Sequence, residues 1–266
     1  MKEQHARTCL LIGEEAQAKL TRSHVALFGL GGVGGGVLEG LARSGVGELT
    51  LVDNDTVSVS NLNRQLLSTW DSIGRLKTDA AEERVHAIDP DIRVHKYPMF
   101  FLPENEDVID FGCFDYVVDA IDTVTAKLRI IELCHQAGVP VISAMGCGNR
   151  LDPSRLVVTD IYSTSQDPLA RIMRRELKKR GIPSLKVVYS TEPVTIPSNR
   201  PKAGASDTAP PRTLPDGRLT GGSGEVLEPA ESAPRRRDTP GSTAFVPPVA
   251  GFIAASEVVR DLIGKK

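Results

Sequence analysis

Gly29, Gly31, Gly32 and Gly34 stand as GLGGVG around Val33, a turn with few side chains to block an approaching anion. Asp53 closes the apolar run Leu49-Thr50-Leu51-Val52 and opens Asp53-Asn54-Asp55. Arg64 lies in Asn61-Leu62-Asn63-Arg64-Gln65, Lys77 in GRLKTDAAEER, and Asp122 in Asp119-Ala120-Ile121-Asp122. Backbone N–H groups of such a glycine turn, with the positive end of a following helix, can hold phosphate. An acid at a strand end can accept hydrogen bonds from ribose hydroxyls. A dinucleotide needs no arginine beyond that acid. A triphosphate does, because its charge must be neutralised before a nucleophile reaches the α-phosphorus. An acid beyond another strand suits Mg²⁺, which takes carboxylate and phosphate oxygens. The chemistry these residue types can do together is attack on the α-phosphorus of a nucleoside triphosphate.

The flanking pattern supplies the elements that must position them. Val25 to Phe28 reads as a buried strand, and Val37, Leu38, Leu41 and Ala42 give the next segment a helical apolar side. Strand, glycine turn, helix, strand and acid form half of a nucleotide-binding α/β sheet. Residues 74–88 read as a helix with Lys77 in its first turn, where a cation opposes the helix dipole unless a phosphate offsets it. Further strands are expected over 91–97, Tyr116 to Ala120 and Val139 to Ser143. Leu156 to Thr159 and Val187 to Ser190 read as antiparallel additions at the edge. Lys127 is open between a nucleotide contact and a surface cation.

GLGGVG, LVDND and NLNRQ, with Lys77 and Asp122 in their settings, resemble the ThiF/MoeB/HesA superfamily of ubiquitin-activating-type adenylating enzymes. TDIYSTSQDPLARIMRRELKKRGI, KVVYSTE and GSTAFVPPVAGFIAASEVVRDLI are most similar to the branch that cyclises a threonylcarbamoyl-modified adenosine in tRNA. The resemblance implies one α/β domain over residues 1–266, a Rossmann-like, mostly parallel twisted sheet with helices on both faces. It implies ATP and Mg²⁺ as cofactors, a tRNA substrate and a homodimer. Gly29, Gly31, Gly32, Val33, Gly34, Asp53, Asp55, Asn63, Arg64, Gln65, Lys77 and Asp122 are then expected to bind the nucleotide. Asp122 would hold the metal, and Arg7, Arg64, Lys77 and Asp122 are the expected catalytic residues. Arg7 would reach the γ-phosphate in the partner's site. One alternative is an enzyme that adenylates a ubiquitin-like or sulfur-carrier protein. Another is a non-catalytic nucleotide-binding scaffold.

The rest of the chain bounds these readings. A formal net charge of −2 over 266 residues gives no global attraction to nucleic acid, so an RNA contact needs a local patch. Arg171, Arg174, Arg175 and Lys178 share one face of an expected helix over 168–179, with Leu169, Ile172, Met173 and Leu177 on the other. That basic face is either an RNA contact or a solvated surface. Cys9, Cys113, Cys134 and Cys147 include no CxxC, so the zinc pairs of carrier-protein activators cannot form. Cys113 and Cys134 read as small buried hydrophobes, and Cys147 as either that or a catalytic thiol. Residues 197–241 hold eight Pro, six Gly and no aromatic residue, a composition expected of a mobile crossover loop. A closing helix is expected to pack through Val249, Phe252, Ile253, Val258, Val259, Leu262 and Ile263. The opening MKEQHARTCLLIGEEAQ is charged throughout and no apolar run reaches membrane-span length. A cytoplasmic protein without a membrane span is expected.

Overall fold

The computed structural model describes residues 2–195, 212–213, 219–220 and 240–264. Seven strands form one sheet: β1 His24–Phe28, β2 Glu48–Val52, β3 Arg93–Tyr97, β4 Tyr116–Asp119, β5 Val141–Ala144, β6 Leu156–Asp160 and β7 Lys186–Ser190. Their spatial order is β3-β2-β1-β4-β5-β7-β6. All neighbours run parallel except the edge strand β6, which is antiparallel to β7. The antiparallel addition is therefore one strand. Lys186–Ser190, expected to be antiparallel too, joins β5 in parallel, because β6 reverses the chain and β7, after helix α6 (Pro168–Lys179), reverses it again. The chain winds outward from β1 through β2 to β3, then returns to β4 on β1's other side. That reversal leaves a crevice beyond the carboxyl ends of β1 and β4.

The inner strands are buried on both faces, which explains their unbroken apolar sequences. Along β1, Val25 and Leu27 join a core with Val37 and Leu41 of α3 (Gly32–Ser44) and Val258 of α7 (Val246–Ile263). Ala26 and Phe28 point to the opposite face, among Phe101, Phe111, Phe114 and Ile130. Ile130 belongs to α5 (Val124–Ala137), which packs beside α6 on that face.

Some expected elements shift. The single helical run through residues 7–20 breaks at Gly13 (φ 91°) into α1 (Ala6–Ile12) and α2 (Glu14–Arg22). The helix expected from residue 74 begins at Lys77, as α4 (Lys77–Ile88). Ile172 is 38% exposed and Phe252 44% exposed, so neither is the core residue expected. The seam between α3 and α7 is instead made of small residues. A Cβ on Gly36 would stand 2.3 Å from the Pro248 carbonyl oxygen, and one on Gly251 2.1 Å from that of Val33.

The chain divides into two units, residues 1–195 with 241–266, and residues 196–240. In the second, Arg212–Thr213 pairs antiparallel with Leu219–Thr220. The mobile loop expected over 197–241 otherwise lies outside the described residues up to 239. Among the described residues no helix is long and apolar enough to cross a membrane.

Candidate active site

Beyond β1 the backbone turns sharply at Gly29, whose φ of +91° is in the left-handed region. A Cβ there would meet the Ala120 carbonyl oxygen at 2.7 Å, and one on Gly34 would stand 1.8 Å from the Gly29 oxygen. Only glycine lets α3 start this close to the sheet. Gly31 caps α3 without a side-chain hydrogen bond, and no atom would lie within 4 Å of a Cβ on it. Open space therefore lies beside the start of α3, whose first N–H groups have no intrahelical partner, an arrangement that attracts an anion.

Asp53 ties the second strand to this turn. Its Oδ2 accepts from the Leu30 N–H at 2.7 Å and its Oδ1 from the Asp55 N–H at 2.8 Å. Burial raises its pKa, against the Lys77 charge and the two N–H donors. Lys77 is buried, and its Nζ donates to Asp55 Oδ2 at 2.6 Å and stands 3.8 Å from Asp53 Oδ1. Its own N–H donates to the Asp55 carbonyl at 2.9 Å, which fixes the start of α4 against the acidic loop.

Arg64 follows a short 3-10 turn, Val59–Asn61. Its Nη1 donates to the Ser60 carbonyl at 2.9 Å and to Asn63 Oδ1 at 3.0 Å. Asn63 in turn donates from Nδ2 to the Ser242 carbonyl at 3.1 Å. Asp122 lies beyond β4, exposed, accepting at 3.4 Å from the Thr123 hydroxyl.

These pieces surround one cleft of about 440 Å³. Of the expected residues, Gly29, Gly31, Gly32, Val33, Asp53, Asp55, Arg64, Gln65, Lys77 and Asp122 line it. Gly34 shapes the turn from behind, Asn63 acts beside Arg64, and neither lines the cleft. The opposite wall is apolar, with Phe28, Val52, Phe101, Ile121 and Ala126, a surface suited to a flat base. Sequence reasoning missed Phe100 and Phe101. Their signal was an apolar Met-Phe-Phe run directly past β3.

Lys127 and Cys113 need relocation, while Arg7, expected to act in a partner's cleft, stands outside its own. Arg7 is exposed on α1 and is not among the residues lining this cleft. Its neighbours His5 and Cys9 line a larger cavity of about 950 Å³, with Gly47 and Arg93 at the amino ends of β2 and β3. That cavity is remote from the glycine turn and carries none of the phosphate-binding pattern. Lys127 is neither a cleft residue nor a surface cation. It is buried against Asp119 at 2.9 Å and donates to the Ile121 and Ala144 carbonyls, holding the turn that presents Asp122. Cys113 is exposed rather than buried, because the 3-10 turn Phe111–Cys113 points Phe111 inward instead. Cys9, Cys134 and Cys147 are buried, and burial pushes the Cys147 thiol up to about 12. No cysteine lines the cleft.

On α6, Asp167 caps the first turn by accepting from the Ala170 N–H at 2.8 Å, with Pro168 following it as expected. Arg171, Arg175 and Lys178 are exposed, while Arg174 bends back to the Thr164 carbonyl at 2.8 Å.

Residues 5–266 match the ThiF family. This chain belongs to the ThiF family. It is 37% identical over 266 residues to tRNA threonylcarbamoyladenosine dehydratase of Bacillus subtilis, covering 99% of this chain and 96% of that one. It is 30% identical over 275 residues to the enzyme of that name from Escherichia coli, covering 99% and 95%. Its structure is similar to the E. coli dehydratase TcdA in complex with ATP, with a TM-score of 0.77 at 28% identity, covering 98% of this chain and 94% of that chain. A ThiF fold with a nearly full-length match accounts for the sheet order, the glycine turn and the acid that follows β2. Asp122 also fits a magnesium ion by its chemistry. It is a hard carboxylate facing the cleft, and Mg²⁺ is bound by one or two carboxylates plus substrate phosphates.

Proposed function

We propose that this ThiF chain adenylates the threonyl carboxylate of threonylcarbamoyl-modified adenosine in tRNA, which then cyclises with release of AMP. The observation that carries this reading is the convergence of the Asp53-tethered glycine turn with Arg64, Lys77 and Asp122 on one cleft. Near full-length likeness to dehydratases of that name supports the substrate.

In this mechanism the adenine lies against Phe28, Phe101 and Ile121, and Asp53 accepts from the ribose. Asp53 already uses one lone pair of each oxygen on a backbone N–H, which fixes its orientation and leaves further lone pairs for the sugar. The N–H groups opening α3, Arg64 and Lys77 neutralise the phosphates, and Asn63 steadies the Arg64 fork. Asp122 would hold Mg²⁺, which supplies charge neutralisation on the triphosphate. A carboxylate oxygen of the substrate attacks the α-phosphorus and pyrophosphate leaves. The carbamoyl group of the same modification then displaces AMP and closes the ring, so no side chain acts as a nucleophile. The absence of cysteine from the cleft supports this over relay through a thioester.

The same reading includes a homodimer. Arg7 does not line its own cleft, and on the same helix Leu10 is 89% exposed. Apolar side chains so exposed suit an interface that carries Arg7 to the other copy's phosphates. The exposed cations of α6 supply a face for the tRNA backbone. The enzyme is placed in the cytoplasm with its tRNA substrate.

Mass spectrometry of nucleosides from modified tRNA, incubated with protein, ATP and Mg²⁺, tests the proposal. The modified nucleoside should lose the mass of one water, and Asp122→Ala should fold yet abolish the change. An unchanged nucleoside with the wild-type protein would refute the substrate. Full turnover by Asp122→Ala would refute the metal assignment.

A further inference from the structure

The amino end of the sheet carries a second set of chemically matched side chains, away from the nucleotide cleft. His24 opens β1, Glu48 opens β2, and His95 is the middle residue of β3. The registers pair His24 with Glu48, Glu48 with Arg93 and Thr50 with His95, so all five side chains stand on one face of three adjacent strands. On that face of β3, Arg93 and His95 are exposed.

The geometry points to a site for a divalent transition metal of the Zn²⁺ class, bound by His24 Nδ1, His95 Nε2 and Glu48 Oε1. One ligand atom from each residue lies within 4.8 Å of the others. Glu48 Oε1 is 2.7 Å from His95 Nε2 and 3.8 Å from His24 Nδ1. With metal–ligand bonds of about 2.0–2.2 Å, ligand atoms of a tetrahedral site stand roughly 3.3 Å apart. Small side-chain rotations bring the three to that spacing.

The outer contacts hold these atoms in the required orientation. His24 Nε2 is 2.9 Å from the buried Thr50 hydroxyl, and the Phe114 ring packs edge-on at 4.9 Å between centroids. A proton on Nε2 donated to Thr50 leaves the Nδ1 lone pair facing Glu48, the arrangement found around metal-binding histidines. Arg93 engages Glu48 through Oε2, leaving Oε1 toward the two imidazoles. Two imidazoles and one carboxylate select a borderline transition metal over Mg²⁺ or Ca²⁺, which require mainly oxygen ligands. The remaining coordination positions open to solvent past His95. Binding there would cross-link β1, β2 and β3 at the sheet edge.

The test uses chelator-treated full-length protein saturated with ATP and Mg²⁺, so that the cleft is filled. Isothermal titration with ZnCl₂ should give one site per chain, and melting should shift upward with Zn²⁺ but not with added Mg²⁺. His95→Gln alters an exposed side chain and should weaken Zn²⁺ at least about tenfold, as should Glu48→Gln, while melting without Zn²⁺ confirms folding. Co²⁺ substitution provides a second readout through its visible ligand-field spectrum, which should change in both variants. Zn²⁺ affinity unchanged in both folded variants, or no binding by the wild type, would overturn the site. A thiolate-to-Co²⁺ charge-transfer band that disappears in Cys113→Ser would overturn the ligand set, since it would make the neighbouring thiol a ligand.

Discussion

Replacing Lys77 with Met separates the two things that a buried cation does here. Its Nζ makes a 2.6 Å bond to Asp55 and lies 3.8 Å from Asp53. A hydrogen bond between charged groups contributes about 1.5–3 kcal/mol. The Asp55 side chain is 58% exposed, so solvent screening places this pair at the low end. Removing a cation from the first turn of α4 returns about 0.3–1 kcal/mol through the helix dipole. The net loss is about 1 kcal/mol, or roughly 2–4 °C in Tm for a chain of this size. Losing a preorganised positive donor to phosphates is a larger effect, about 10²–10³-fold in rate. ATP–pyrophosphate exchange and differential scanning fluorimetry read the two outcomes. Lys77→Met should be nearly as stable as wild type and severely slowed. Adding Asp55→Asn removes the carboxylate left without its partner and should restore the melting temperature without restoring exchange. Recovery of exchange along with stability in the double variant would refute a phosphate role for Lys77, leaving it a structural partner of Asp55.

Three further outcomes follow from the arrangement. Arg7→Ala and Arg64→Ala proteins, each nearly inactive, should regain part of their activity when mixed, because an exchanged dimer has one cleft with both arginines; no recovery despite proven exchange would remove Arg7 from the partner's site. Thiol labelling of the native protein should modify exposed Cys113 first and spare Cys134 and Cys147, and a variant lacking all four cysteines should keep most of its rate if its melting curve shows that it folds. Charge reversal of Arg171, Arg175 and Lys178 should weaken tRNA binding and flatten its salt dependence while leaving ATP affinity intact, and unchanged tRNA binding would return that face to solvent.

The cleft was legible in the sequence where local chemistry dictates geometry. A glycine turn between a buried strand and an apolar helix has few foldings, and the acid ending the next strand is brought beside it by parallel pairing alone. Asp53 bonding Leu30 is that consequence. The apolar wall was less legible, because Phe101 reaches Phe28 only through the path taken by residues 98–115. Hydrophobicity also misplaced Phe252 and Ile172. The α3–α7 seam is so close that glycine and alanine fill it, and the large side chain of Phe252 is left outside. Lys127 showed the opposite failure, since a charge in sequence gave no sign of its buried partner Asp119. The position of Arg7 at the far end of the sheet depends on tertiary placement that its own segment does not encode.

The central claim is that a substrate carboxylate attacks the α-phosphorus in this cleft, and an isotope transfer tests it directly. Threonylcarbamoyl-modified tRNA carrying oxygen-18 in the threonyl carboxylate would be turned over with unlabelled ATP, and the products weighed by mass spectrometry. Attack on the α-phosphorus followed by ring closure must leave one labelled oxygen in AMP. Label in orthophosphate, with unlabelled ADP as co-product, would mean transfer of the γ-phosphoryl group and would contradict adenylation.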